Sequence, residues 1–249
     1  MPRLHKDIQV AYLEDILENE GRFDLSPLSY PTSDSRLWRK RVIELLDLGV
    51  KELVLRGVGD LLKPVVLGKG YRSIVIFCRS GGLDLAAKVR RADSPPTDFP
   101  LEAYHISIAS GLGVGPKLYS WSPDMIVMEM VEGIGIGQVL RESRGTLPLG
   151  DVMDLCFRMD TNGLDHGQLS DPSHHIMLSG RGPVIIDYGH TSMARKPRNL
   201  TSFISYILNR LGMDARPYAS LLRKYASDYD VNLYEVLKRR VLGNLGRLK

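Results

Sequence analysis

The chain has 249 residues, 43% of them hydrophobic, enough to bury one large core or two modest lobes, and its formal net charge is +4. No apolar run approaches bilayer-spanning length and residues 1–7 carry no apolar signal-peptide core, so a cytoplasmic chain without a membrane partner is expected. Cys78 and Cys156 stand far apart and without metal-ligand spacing, which argues for a reduced protein and against a disulfide scaffold.

In chain order, "VAYLEDILENE" (10–20) predicts a short amphipathic helix ending near Gly21. A polar, Pro-containing connector (26–35) follows. "RLWRKRVIELLDLG" (36–49) then places Leu37, Val42, Leu45 and Leu46 on one helical face, with Gly49 as a stop. "KELVLRG" (51–57) predicts a strand. From residue 63 the pattern is strand-rich, "KPVVLGKG", "RSIVIFCR" and "LDLAAKVRR", with Gly-containing turns at 68–70 and 80–82. Asp98 and Pro100 open a helix through "LEAYHISIASG". Two further strands, "PKLYSW" and "DMIVMEMV", lead to the Gly-rich "EGIGIG" (132–137). Helices "GQVLRES" and "GDVMDLCFRMDTNG", the loop "DHGQLSDPSHHIML" (165–178), a strand "PVIID" and a helical C-terminus complete the chain. Strands first and helices after predict an α+β protein with a helical extension at 1–62, a β-rich lobe at 63–131 and a helical lobe at 132–249.

Five stretches carry candidate chemistry. In "LGKGYRSIV" (67–75) the glycines would let the backbone approach phosphate oxygens, with Lys69 adding charge at the tip, although an ordinary hairpin turn also accounts for it. In "LAAKVRR" (85–91) alternation turns Ala86, Lys88 and Arg90 to one face, and Glu102 in the next helix can partner Lys88. "MIVMEMVEG" (125–133) is an apolar strand running into a turn. His166 and Gly167 precede Gln168 in the fourth stretch. In the fifth, Asp187 ends a strand two residues before Gly189, a placement suited to Mg²⁺ that a plain turn residue would share. The adjacent His174 and His175 lack the spacing of a structural zinc site.

Taken in order, these elements resemble the archaeal RIO-like serine/threonine protein kinase group, relatives of RIO kinases and of the kinase subunit of the KEOPS tRNA-modification complex. The resemblance covers about residues 50 to 210 and includes "AAKVRR", "LDHGQLSDPSHHI", "PVIIDYGHTS" and "KPRNLTS". It implies a protein-kinase-like two-lobed fold of RIO type, with a reduced C-terminal lobe and a short helical N-terminal extension. It implies an ATP-dependent phosphotransferase using Mg²⁺, acting on a protein substrate or on itself. The alternative is an ATP-binding pseudokinase or ATPase serving as a switch or scaffold in ribosome- or tRNA-related assembly. The implied roles put Gly68, Lys69, Gly70 and Ser73 over the phosphates and Lys88 on them, paired to Glu102. Glu129 and Val131 would lie along the adenine with Met128 behind it, Val75 and Ala86 would also belong to the nucleotide site, and Asp187 would hold the metal.

Two positions depart from that pattern. Gln168 stands where the family has its catalytic Asp, and a carboxamide cannot take a proton near neutral pH, which puts a factor of about 10²–10⁴ in rate in doubt. The metal-binding Asn of the family becomes Ser173 when counted from Gln168, or His175 when counted back from the following strand. The segment 237–249, with Lys238, Arg239, Arg240, Arg247 and Lys249 and no acid, and "RKPR" (195–198) predict modest, salt-dependent contact with RNA or a ribosomal particle, although a solvated basic helix end accounts for them equally well.

Overall fold

The computed structural model describes residues 8–58, 61–95, 98–142 and 147–245. The chain divides into two compact units, Met1–Tyr104 with Lys117–Met130, and His105–Pro116 with Val131–Lys249.

The first unit is built on an antiparallel sheet. Its elements are β1 (Ile8–Tyr12), α1 (Leu13–Glu18), α2 (Ser35–Asp47), β2 (Glu52–Val58), β3 (Leu61–Pro64), β4 (Val66–Lys69), β5 (Ser73–Ser80) and β6 (Leu83–Arg90), and the beginning of α3 (Phe99–Gly111). Strands β7 (Leu118–Trp121) and β8 (Met125–Glu129) close it in the order β1-β2-β5-β6-β8-β7, with β3 paired to β2 and β4 to β5. Because side chains alternate across a strand, the sheet has two distinct faces. Leu53, Leu55, Ile74, Ile76, Cys78, Leu85, Ala87, Val89, Met125 and Val127 point one way and form the main core with Leu13, Ile16, Leu28, Trp38, Val42 and Leu45 from the helical segments. Helix α2 begins at Asp34, whose carboxylate accepts from the amides of Arg36 (2.9 Å) and Leu37 (3.3 Å). Trp38, Arg41, Val42 and Leu45 form its buried stripe, while the expected Leu37 and Leu46 are half-buried at its margins.

Residues 8–58, with Leu61 and Leu62, contribute β1, β2 and the first half of β3 to the sheet, and α1 and α2 cover one of its faces. The helix expected over 10–20 is shorter for the same reason. Val10 pairs with Val54 and Tyr12 with Glu52, so those residues are strand, and the helix begins only at Leu13. Local periodicity yields here to a partner 40 residues away.

The second unit contains β9 (Gly133–Gly135), α4 (Ile136–Glu142), α5 (Leu149–Thr161), β10 (Ile176–Ser179), β11 (Gly182–Ile185), α6 (Asn199–Arg210), α7 (Ala219–Asp228) and α8 (Val231–Leu245). The strands form a small antiparallel sheet in the order β11-β10-β9, and α5 packs against α6 and α8. Met153, Cys156, Met159, Phe203, Ile204 and Ile207 are buried on α5 and α6. The start of α6 is fixed by Asp160, a buried carboxylate that accepts from the Asn199 amide (2.9 Å), the Leu200 amide (3.1 Å), Asn199 Nδ2 (2.9 Å) and the Tyr225 hydroxyl (2.8 Å). Burial outweighs these four donors and pushes its carboxyl up to about 6.

Candidate functional site

In the first unit, the face of the sheet turned away from the main core carries the residues singled out in the sequence. Val75 on β5 pairs with Lys88 on β6, and Ala86 pairs with Met128 on β8, so the four share one face across three adjacent strands. Val75 and Met128 are only half-buried, which leaves an apolar floor beside the lysine. Lys88 and Glu102 are 9% and 6% exposed, and the ammonium lies 2.6 Å from Glu102 Oε1. Removing two charges from water is costly unless they are paired, and this pair sits on a strand and a helix that could otherwise have been apolar.

The β4–β5 hairpin flanks the same residues. Its tip is closed by the Gly70 amide donating to the Ser73 carbonyl at 2.8 Å. The fold itself does not demand glycine there. A Cβ at Gly68 would meet nothing within 4 Å, and one at Gly70 would make only ordinary contact, 3.5 Å from Ser73. Ser73 is buried, and Lys69 lies with its ammonium 4.6 Å from the centre of the Tyr30 ring. Glu129 ends β8 with its amide bonded to the Lys117 carbonyl (2.8 Å) and Oε2 accepting from the Lys117 amide (3.1 Å). Val131 belongs to the second unit.

In the second unit the loop 165–175 is held from several sides. Asn199 is its anchor: Oδ1 accepts from the His166 amide (2.9 Å) and Nδ2 donates to the Leu164 carbonyl (2.7 Å). His166 is fully buried, with Nε2 3.1 Å from the Ile186 carbonyl, a distance that assigns the ring proton to that nitrogen. Burial pushes its pKa down to about 4, so the ring is neutral. Gly167 has φ 83°, and a Cβ there would lie 2.7 Å from the His190 carbonyl oxygen. Gln168, the next residue, is half-buried, and its Oε1 is shielded from solvent without a hydrogen-bond partner among the described residues.

The two carboxylates beside Gln168 have other tasks. Asp165 accepts from Arg195 Nε (2.9 Å) and from the Arg198 amide (3.2 Å), while its backbone exchanges two hydrogen bonds with Ser192. It anchors the 192–198 segment. Asp171 is exposed and accepts from the Ser173 amide (3.2 Å), and hydrogen bonds from Ser173 hold its carboxyl below the usual range. Ser173 itself shares a 2.8 Å hydrogen bond with the Tyr206 hydroxyl. His175 precedes β10, and its carbonyl accepts from the Ile186 amide at 2.8 Å, which brings it beside the end of β11. Its Nδ1 is another shielded atom without a partner among the described residues, and burial lowers its pKa while the charge of Asp187 opposes that shift. The strand expected to end at Asp187 ends at Ile185. Asp187 is exposed and left-handed, φ 67°, a conformation that costs a non-glycine residue about 1–3 kcal/mol and recurs where side chains are aimed at ligands.

Sequence reasoning passed over Tyr30, Asn199 and the Asp165–Arg195 pair, because each acts on residues tens of positions away and none stands in a recognisable spacing. The basic clusters look different once their partners are seen. Arg195 is bound to Asp165, Lys196 Nζ donates to the Ser227 carbonyl (3.1 Å), and Lys238 lies 2.5 Å from Asp154. Arg239 and Arg240 are exposed on α8, whereas Arg247 and Lys249 lie outside the described residues.

No family model and no curated protein matches this sequence. Solved structures do match, among them the Rio2 kinase of Chaetomium thermophilum in its ADP/Mg²⁺-phosphoaspartate complex, with a TM-score of 0.51 at 13% identity over 85% of this chain and 76% of that one. Mixed helices and antiparallel sheet in two compact units, with this likeness, give the chain a protein-kinase-like fold similar to that of Rio2.

Proposed function

We propose that the chain binds Mg·ATP and acts as a phosphotransferase of low intrinsic rate. The observation that carries this reading is the buried Lys88–Glu102 pair on the sheet face that also presents Val75, Ala86 and Met128. An ion pair retained where apolar residues would serve the fold as well points to a role outside stability. Lys88 would bind phosphate oxygens, with Glu102 holding it in place. Gly68, Gly70 and Ser73 would cover the phosphates, and the open space above Gly68 fits a ligand approaching the backbone. Ala86, Val75, Met128, Glu129 and Val131 would line the adenine.

The donor set in the second unit fits a divalent ion. Asp187 supplies an exposed carboxylate in a strained backbone, and His175 fits better as its companion than Ser173, whose hydroxyl is engaged by Tyr206. Among the described residues no three His, Cys, Asp or Glu side chains converge on one point, so the ion would take its remaining ligands from phosphate and water. Mg²⁺ held there would neutralise charge developing on the transferred group. Neutral imidazole is a weaker magnesium ligand than an amide oxygen, which accords with a low rate.

A second reading, a nucleotide-dependent switch or scaffold without turnover, is favoured by one observation. No carboxylate of the loop is available as a base, since Gln168 is an amide, Asp165 is bound to Arg195 and Asp171 caps the turn that follows it. A partner made of RNA would rest on Arg239 and Arg240, and its affinity would fall with salt.

Calorimetry with Mg·ADP tests the shared part of both readings. Lys88→Met alone would leave Glu102 buried without its ammonium, at a cost of about 3–5 kcal/mol in stability. The double variant Lys88→Met, Glu102→Gln removes both charges and is expected to fold, with Mg·ADP affinity reduced at least about tenfold. Equal affinity in that variant takes the pair out of the site and removes the basis of the proposal.

A further inference from the structure

The tip of the glycine-bearing hairpin is fastened to a residue far from it in sequence. Tyr30 follows the 3₁₀ turn at Ser26–Ser29, packs against the main core, and accepts a hydrogen bond at its carbonyl from the Ala92 amide (2.8 Å). Its ring is met by two cations, Lys69 at 4.6 Å and Arg91 at 4.8 Å from the ring centre. Arg91 in turn holds the tip itself. Its Nη1 donates to the Gly70 carbonyl at 3.3 Å and its amide donates to the Arg72 carbonyl at 3.0 Å. Lys69 thus meets the Tyr30 ring directly, Gly70 is tied to it through the Arg91 side chain, and Arg72 is bonded to the main chain of Arg91.

We propose that Tyr30 is a positioning residue for the phosphate-covering hairpin: its ring, clasping Lys69 and Arg91, sets the conformation of the tip and so the affinity for the phosphate part of a nucleotide. The inference rests on the nucleotide-binding reading but concerns a residue outside the resembling motifs. A flexible hairpin would lose conformational freedom each time it closed on phosphates, and one already ordered from below would not. The ring also limits where Lys69 can travel, keeping its charge beside the tip rather than dispersed in solvent. The chain before α2 would then act on ligand affinity without touching the ligand, and any change in that segment would be felt first by phosphates and least by the adenosine part.

Tyr30→Leu keeps apolar bulk against the core and removes the ring face, whereas Tyr30→Phe keeps the face. Mg·ADP and adenosine are titrated separately into both variants. Two exposed cation–ring contacts together are worth at most a factor of about 5–30 in affinity. The expected result is that loss for Mg·ADP in Tyr30→Leu, no change for adenosine, and recovery in Tyr30→Phe. Lys69→Met is expected to weaken Mg·ADP binding less in the Tyr30→Leu background than in the parent. Equal weakening of both ligands would mean general damage and overturn the proposal, as would unchanged Mg·ADP affinity. Hydrogen exchange in the ligand-free protein separates this inference from the reading beneath it. The Gly70 amide should exchange about tenfold faster in Tyr30→Leu, and unchanged exchange there refutes the brace even if nucleotide binds. A parent chain that takes neither ligand overturns the nucleotide reading and the ligand half of this proposal together, leaving exchange to decide whether Tyr30 orders the tip.

Discussion

Gln168 concentrates the difference between a slow enzyme and a scaffold. Its Oε1 has no hydrogen-bond partner among the described residues, and the neighbouring Gly167 is left-handed, with the His190 carbonyl too close to admit a side chain. A carboxylate placed there would be pre-positioned. Gln168→Glu, which keeps the length, is expected to raise phosphate incorporation into the protein or an added acceptor at least about tenfold. Mg·ADP affinity should stay within about twofold of the parent, a difference well below that of a lost charged contact. Labelled phosphate transfer at saturating ATP measures the first and calorimetry the second. If neither Gln168→Glu nor Gln168→Asp transfers phosphate, the scaffold reading replaces the enzymatic one. That Gln168 would stand at the place of a catalytic Asp is what the resemblance implies, from His166 and Gly167 just before it. That Asp165 could not stand in was not visible, since its partner Arg195 lies 30 residues on.

Among the elements, the β4–β5 hairpin joins two properties that are usually found apart. It is a regular antiparallel pair whose register slips between Val66 and Gly68, and its glycines sit in ordinary backbone regions with room for a side chain. Gly68→Ala is therefore expected to leave stability unchanged or raise it by about 0.5–1 kcal/mol, through lost freedom in the unfolded chain. The same methyl would intrude where a phosphate is proposed to approach. Mg·ADP affinity should fall about tenfold or more while the melting temperature holds or rises. A parallel fall in both quantities would show that the glycine serves the fold and would remove the hairpin from the proposed site. Local pattern sufficed to find β5, β6 and β8, which are long, apolar and bounded by turns. It failed at β1, where Val10–Tyr12 continue smoothly into a helical stretch and only pairing with β2 makes them strand. The pair β9 and β10 was hidden for a related reason: three or four residues each, they depend on one another and on β11 for their existence.

For the whole molecule, the order of parts could be read from one end to the other, yet the sorting of those parts into units could not. Residues 8–58 have the composition of an appendage, yet Leu13, Ile16, Trp38 and Leu45 belong to one core with strand residues as distant as Met125 and Val127. The second unit holds a matched pair of buried titrating groups, Asp160 and His166, one displaced upward and the other downward. Between about pH 4 and 6 the folded chain keeps a proton on Asp160 that the unfolded chain has released, so that group makes stability fall as pH rises. Over nearly the same range the folded chain refuses a proton on His166 that the unfolded chain accepts, so that group makes stability rise with pH. The two slopes oppose each other, each about 1.4 kcal/mol per pH unit. Phe in place of His166 removes one slope and exposes the other. Urea midpoints measured from pH 4.5 to 6 should then decline with rising pH, relative to the parent, by the free energy of one proton. A variant that tracks the parent across this range would mean that the imidazole is not held neutral in the fold. Taken together the two groups contribute little dependence on pH in mild acid: the proton that Asp160 gains on folding is offset by the one that His166 gives up.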